Sequence, residues 1–361
     1  MPFHYTLGRA PLEPGREARA PMKPPPPMQT TLLAGDVGGT KTDLALFADD
    51  RPAGGRLREL RGARLASADY PGLGALLRAF LGDAPPPIAA AAFGVAGPVV
   101  GDTCRTTNLP WEIDAAALRA ALGIPRLRLL NDFHALALGL GALPDDGLLV
   151  LQPGDVDPAG PQAVIGAGTG LGEAILVPTA AGPRVLATEG GHADFAPRDD
   201  LEIGLLRALQ RRHGHVSWER LVSGPGLVAL HDHLAAEGLA VVHPDTRRRL
   251  AAEDPAAVIG ELALADADPS CVLAVDRFLG LYGAEAGNLA LKTLPTGGLF
   301  VAGGIAPRLL PKLRRGPFLA AFLDKGRMRP LLERIRVAVV LEPRVGLLGA
   351  ARAAVDLLEP T

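Results

Sequence analysis

The sequence predicts an α/β fold built from two halves. Three observations carry the prediction. Apolar runs bounded by glycine alternate with amphipathic helical segments. A glycine-and-threonine turn between two apolar runs occurs twice, at residues 35–42 and 166–172. The chain has 361 residues, enough for about two domains of roughly 100–200 residues each.

Composition narrows the function class. Lys and Arg total 37 against 39 Asp and Glu, a net charge of −2, so there is no electrostatic footprint for nucleic acid. No segment approaches the roughly 18–20 apolar residues of a membrane span. The most apolar stretch, 88–100, is broken by Gly94, Gly97 and Pro98. Cys104 and Cys271 lie far apart and match no metal or disulfide framework, which fits a reducing, cytoplasmic setting. Residues 1–31 carry a proline run at 24–27 and lack the apolar core of a signal peptide. They read as a disordered extension.

The elements follow in order. Residues 32–46 run from an apolar strand through Asp36, Gly38, Gly39, Thr40 and Lys41 into a second strand. Glycine permits the tight hairpin, and exposed backbone N–H groups in such a turn form an anion-binding concavity. On local grounds the turn is either a phosphate cradle or an ordinary hairpin. It is neither a Walker loop nor a dinucleotide fingerprint, because both spacings fail. A third strand is expected near Leu65. Leu73, Leu76, Leu77, Phe80 and Leu81 then form one face of a helix. Residues 88–96 read as a buried strand. Hairpin, strand, helix, strand is the order of a mixed sheet with crossover helices.

Asp114 is placed to cap a helix over 115–122. Residues 126–130 read as a strand, with Asn131 and Asp132 at its C-terminal end and a helix over 133–140. Asp132 is either the N-cap of that helix or a functional carboxylate at a strand tip. In open α/β sheets ligands gather at such tips. Residues 148–151 form another strand. Residues 163–177 repeat the opening design around Gly168, Thr169 and Gly170. Two duplicated halves facing each other would bring both tips to one ligand.

The loop Glu189-Gly190-Gly191-His192 offers a carboxylate and an imidazole for binding hydroxyls. A metal pair is the rival, but no further ligand lies at metal spacing. Residues 227–291 look helical throughout, with His231, Asp232 and His233 on an exposed face. A buried strand over 299–302 ends in a third glycine turn, Gly303-Gly304. A last strand over 335–341 and a helix over 346–358 close the chain.

Three glycine turns at strand ends resemble the ATP core of the sugar kinase, actin and heat-shock-protein superfamily. The finer match is to bacterial glucokinases of the proteobacterial type. GDVGGTKT (35–42), TNLPW (107–111), LLNDFHALA (129–137), GAGTGLG (166–172), EGGHADFAP (189–197), HVSWERLVSGPGL (215–227), AGGIAPR (302–308) and GLLGAA (346–351) occur in family order. The resemblance implies a two-domain ribonuclease-H-like (actin-like ATPase) fold with mixed sheets and the active site in the interdomain cleft. It implies a small domain over 32–142 plus 346–361 and a large domain over 143–345.

It also implies a glucokinase that moves the γ-phosphoryl of ATP to the 6-hydroxyl of glucose. Asp132 matches the family's catalytic base. Asn108, Asn131, Asp132, Glu189, His192 and Glu219 match its sugar contacts. Asp36, Val37, Gly38, Gly39, Thr40 and Lys41, with Gly168, Thr169, Gly170, Gly303 and Gly304, match the ATP loops. Asp36 would hold Mg2+ through water. Lys41 stands where an asparagine is often found, and is either a phosphate contact or solvated. The resemblance also implies a homodimer. Kinases for other hexoses are the nearest rivals. A sugar-responsive repressor would need an N-terminal helix-turn-helix, and the segment before Leu32 is too short and proline-rich for one. A filament-forming ATPase would lack the Asn131-Asp132, Glu189, His192, Glu219 set.

Overall fold

The computed structural model describes residues 30–50, 57–106, 109–144, 146–180 and 182–358. Most of the 1–31 segment therefore lies outside the described residues, as does Asn108. The first half holds β1 (Thr31–Val37), β2 (Lys41–Asp49), β3 (Leu57–Ala66), α1 (Leu73–Leu81), β4 (Ile88–Val95), β5 (Val99–Val100), β6 (Thr103–Arg105), β7 (Glu112–Asp114), α2 (Ala115–Leu122), β8 (Leu127–Asn131) and α3 (Asp132–Gly139). One sheet runs β3-β2-β1-β4-β8, and β5-β6-β7 form a small separate sheet. β1 to β2 and β2 to β3 are antiparallel, while β1 to β4 and β4 to β8 are parallel. The edge strand β3 presents Arg58, Glu59, Arg61 and Arg64 outward, which discourages further strand pairing. Asp114 caps α2 as expected, its Oδ1 accepting from the N–H of Ala116 at 2.7 Å and Ala117 at 3.0 Å.

Side-chain alternation divides β1 between two cores. Leu33 and Val37 pack under α1 and α2 with Leu76, Phe93 and Leu118. Leu32 and Ala34 face the other way. Asp36 continues that second series by the two-residue period of a strand.

The second half holds β9 (Leu148–Gln152), β10 (Gln162–Ala167), β11 (Leu171–Val177), β12 (Arg184–Thr188), α4 (Asp200–His213), α5 (Gly224–Ala236), α6 (Pro244–Ala252), α7 (Pro255–Leu264), α8 (Pro269–Thr293), β13 (Gly298–Ala302), α9 (Ile305–Arg308), α10 (Leu310–Leu313), α11 (Pro317–Leu323), α12 (Arg329–Glu333), β14 (Val337–Val340) and α13 (Val345–Asp356). Its sheet runs β12-β11-β10-β13-β14-β9. The first five strands repeat the order and directions of the first sheet, and β9 is added antiparallel at the edge.

The 227–291 region is helical, as expected, and is divided by prolines. It forms four helices, because Pro244, Pro255 and Pro269 each occupy a first helical position behind a side-chain cap, His243, Asp254 and Asp268. Proline there lacks only an N–H that a helix start leaves unpaired anyway. His231 and His233 are buried, contrary to the exposed face expected, and His231 Nε2 lies 3.1 Å from Ser270 Oγ.

α3 and α13 lie between the two sheets. Their core joins Ala34 and Ala92 of the first sheet to Val164, Phe300 and Ala338 of the second, through Ala135, Leu347, Ala350 and Ala354. Gly349 of α13 lies against the Ala135 backbone of α3, an approach that any side chain would block. The last helix thus completes the interior beside the first strand.

Candidate active site

The two hairpin tips are built alike. In the first, Val37 pairs with Thr42 and the Gly38 N–H donates to Lys41 O at 3.0 Å. In the second, Ala167 pairs with Leu171 and the Gly168 N–H donates to Gly170 O at 2.8 Å. Each leaves glycines and a threonine at the tip. Ser67 braces the first loop. Its hydroxyl donates to Gly38 O at 2.8 Å and its N–H to Thr40 O at 3.1 Å. Tyr282, buried on α8, ties the second tip to the third. Its hydroxyl accepts from the Ala167 N–H at 3.0 Å and lies 3.3 Å from Ala302 O. Gly303 then turns with φ +79 directly against Ala167, a conformation and a closeness that both call for glycine. The N-terminus of α5 joins the group, with the Gly224 N–H donating to Gly168 O at 2.8 Å.

Asp132 is not the cap of α3. Asn131 is: its Oδ1 accepts from the Phe133 N–H at 2.9 Å and its Nδ2 donates to Gly97 O at 3.3 Å. Asp132 accepts one bond from the same Phe133 N–H, at 2.9 Å. Its own N–H and the Asn131 side chain also favour its charged form. Burial pushes its carboxyl up to about 6, with the Glu189 charge adding to the rise. Asp36, half-buried at the end of β1, is pushed up to about 7 by burial and by Asp132. The Asp132 charge thus adds to burial in opposing the ionisation of Asp36. Gly346 at the start of α13 lies over Asp36, and a Cβ at that position would come within 2.7 Å of its Oδ2.

Phe133 anchors the helix that carries Asp132. Its ring rests on Gly166 and Gly172, which are register partners across β10 and β11. A Cβ at either position would meet the ring. The base of the first half is thereby seated on the second.

The structure brings Glu189, His192 and Glu219 together. His192 lies 3.9 Å from both carboxylates, Nε2 toward Glu189 and Nδ1 toward Glu219. Glu219 Oε2 also accepts from the Leu171 N–H at 2.9 Å, beside the second glycine tip. Glu189 and Asn131 line one cavity of about 450 Å³ with Pro98, Val99, His134 and Thr188. Lys41 is exposed on the first tip. Sequence reasoning missed Ser67 and Tyr282, which carry no motif signal, and gave no role to Phe133 within the 129–137 motif. Among the described residues no cluster of three or more His, Cys, Asp or Glu could hold a metal, and no helix is long and apolar enough to cross a membrane.

Comparison with known proteins shows the family. The glucokinase family model matches residues 33–357. A glucokinase from Nostoc punctiforme is 44% identical over 342 residues, covering 91% of this chain and 100% of that protein. One from Chromobacterium violaceum is 42% identical, covering 91% of this chain and 90% of the relative. Among solved structures, a glucokinase from an Antarctic psychrotroph superposes with a TM-score of 0.76 at 32% identity, covering 90% of this chain and 99% of that one. A glucose complex of Balamuthia mandrillaris glucokinase superposes with a TM-score of 0.74 at 21% identity, covering 90% and 94%, which speaks for the fold alone. That fold is the two-sheet actin-like ATPase fold expected from the sequence. The chain belongs to the glucokinase family.

Proposed function

We propose that this chain is an ATP-dependent hexose kinase acting as a glucokinase, moving the γ-phosphoryl of ATP to the 6-hydroxyl of glucose and yielding glucose 6-phosphate and ADP at the entry to glycolysis. One observation carries the chemistry. Asn131 takes over the capping of α3, leaving the Asp132 carboxylate at a strand tip, where burial and the Glu189 charge raise it.

A sugar hydroxyl is a poor nucleophile. Asp132 accepts its proton as attack proceeds, and a base pushed up to about 6 takes it better than an ordinary carboxylate while still ionised at neutral pH. The transition state spreads charge over the phosphoryl oxygens, so the remaining work is positioning and electrostatic stabilisation. The amides of Gly38-Gly39-Thr40 and Gly168-Thr169-Gly170 supply donors, with Gly303-Gly304 beside the nucleotide. Asn108, Asn131, Glu189, His192 and Glu219 hold the ring hydroxyls. Sugars lacking those hydroxyls leave these groups unpaired and are rejected.

Asp36 is the residue that would hold magnesium, through water. A half-buried carboxylate disfavoured by its own surroundings fits a cation that keeps most of its water and takes one or two carboxylates plus substrate phosphates. Bound there, the ion would neutralise charge on the ATP oxygens. In this reading residues 32–142 with 346–361 close as one domain upon 143–345, excluding water that would compete as acceptor. The cytoplasm and a homodimer complete the proposal. The first rests on two free, buried cysteines and the second on the family resemblance.

The test is a coupled assay of ADP formation with glucose, mannose, fructose and N-acetylated sugars, run with ATP, ADP and polyphosphate as donors. Glucose with ATP should be turned over fastest. Preference for another sugar, or no turnover with any, would overturn the glucose assignment.

A further inference from the structure

The mechanism leaves one pair of buried acids unused. Glu173 on β11 is 3% exposed and Glu285 on α8 is 0% exposed. Each carboxyl lies within electrostatic reach of the other. Oε1 of each finds no hydrogen-bond partner among the described residues. Glu285 Oε2 accepts from Asn288 Nδ2 at 2.8 Å. The compensating charge is thin. Lys292 Nζ stands 3.8 Å from Glu285 Oε1. Lys325 is turned to Asn288 Oδ1 at 2.7 Å and Ala284 O at 2.9 Å. The Tyr282 hydroxyl is neutral and held by backbone. Two ionised carboxylates in contact at this burial would repel, so one must keep a proton.

Glu173 of the pair lies directly beneath the loop that carries Glu189 and His192. The Glu173 carboxyl occupies the space that a Cβ on Gly190 would fill. Glu173 is also the register partner of Thr188. The Thr188 hydroxyl donates to Glu173 O at 3.1 Å and accepts from the Gly190 N–H at 3.2 Å. The turn then closes through the His192 N–H on Glu189 O at 3.0 Å. A change at Glu173 therefore reaches the loop by contact and by a hydrogen-bond relay.

We propose that Glu173 and Glu285 share one proton and that the protonated pair positions the Glu189–His192 loop for sugar binding. This rests on the glucokinase reading. Burial and the neighbouring Glu285 push the Glu173 carboxyl up to about 8, and burial raises Glu285 as well. The pair therefore holds its proton below about pH 8 and loses it above. Loss leaves the Glu173 carboxylate under Gly190 repelled by Glu285 and displaces the loop. Glu173 acts through the loop and is a positioning residue.

The experiment measures KM for glucose and for ATP from pH 7 to pH 9.5 in the full chain and in Glu173→Gln, whose amide donates to Glu285 at every pH. In the parent, glucose KM should rise about ten-fold across that range, the equivalent of ~1.4 kcal/mol, while ATP KM stays nearly flat. In Glu173→Gln the rise should vanish. Glu285→Gln supplies the same donor from the other side and should behave alike if Glu173→Gln fails to fold. Parallel glucose-KM profiles in parent and variant overturn the inference alone. A parent that phosphorylates no glucose at pH 7.5 overturns the glucokinase reading and the inference with it.

Discussion

The β1–β2 hairpin and the β10–β11 hairpin share strand order, direction and a glycine-threonine tip, yet their next-to-last register pairs differ completely. In the first half that pair is Asp36 and Asp43; in the second it is Gly166 and Gly172. The acids of the first half meet cations and a second carboxyl. Arg64 Nε donates to Asp43 Oδ1 at 2.7 Å, and Asp36 is raised by Asp132. The glycines of the second half hold no charge and accept the Phe133 ring. One copy of the repeat thus carries ionic chemistry. The other is a flat apolar seat for the helix that bears the base. The difference explains how a duplicated unit yields an asymmetric site.

The comparison can be broken from either side. The largest effect should come from Asp132→Ala, which removes the proton acceptor and should lower kcat by roughly 10²–10⁴-fold, with ATP binding largely kept in a nucleotide titration. Near-normal glucose phosphorylation by that variant would remove Asp132 from the chemistry.

Gly172→Ala should come next. The new methyl displaces the Phe133 ring and, through its N–H, the Asp132 carboxylate. Misplacement on the scale of an ångström costs up to about 10²-fold, so kcat should fall about ten-fold or more with glucose KM changed less. An unchanged kcat would mean that the seat does not position the base.

Glu189→Gln should act on binding, raising glucose KM about ten-fold through one weakened charge-assisted hydrogen bond of ~1.5 kcal/mol. An unaltered KM would take Glu189 out of the sugar site. Smallest should be Ser67→Ala, which removes a neutral hydroxyl contact to Gly38 O. It should cost about 1 kcal/mol of stability in denaturant unfolding and raise ATP KM slightly. A larger shift in glucose KM than in ATP KM would contradict the bracing role.

Much of this was legible in the sequence for definite reasons. Glycine-bounded apolar runs mark both hairpins, because only a strand–turn–strand unit buries such runs around a tight turn. Asp114 is a readable cap because one acid stands before one helix. At Asn131-Asp132 two cap-type residues stand side by side, and local propensity does not choose between them. The choice is made in space, where Asn131 also reaches Gly97. Gly166 and Gly172 are six residues apart and become one surface only through strand pairing. Phe133 approaches them from another part of the chain. The burial of His231 and His233 was missed because a polar residue type does not report its partner, here Ser270 for His231. Proline in the 227–291 region was available as a signal. Three of its prolines are helix starts, and the alanine- and leucine-rich runs around them concealed that.

The central claim is that Asp132, raised by burial, is the base. The pH dependence of kcat/KM for glucose tests it most directly, since that ratio reports ionisations of the free enzyme. With the carboxyl at about 6, activity should be full at pH 7.5, half lost near pH 6, and about ten-fold lower for each further pH unit. A profile that stays flat down to the range of an ordinary aspartate, about pH 4, would contradict it.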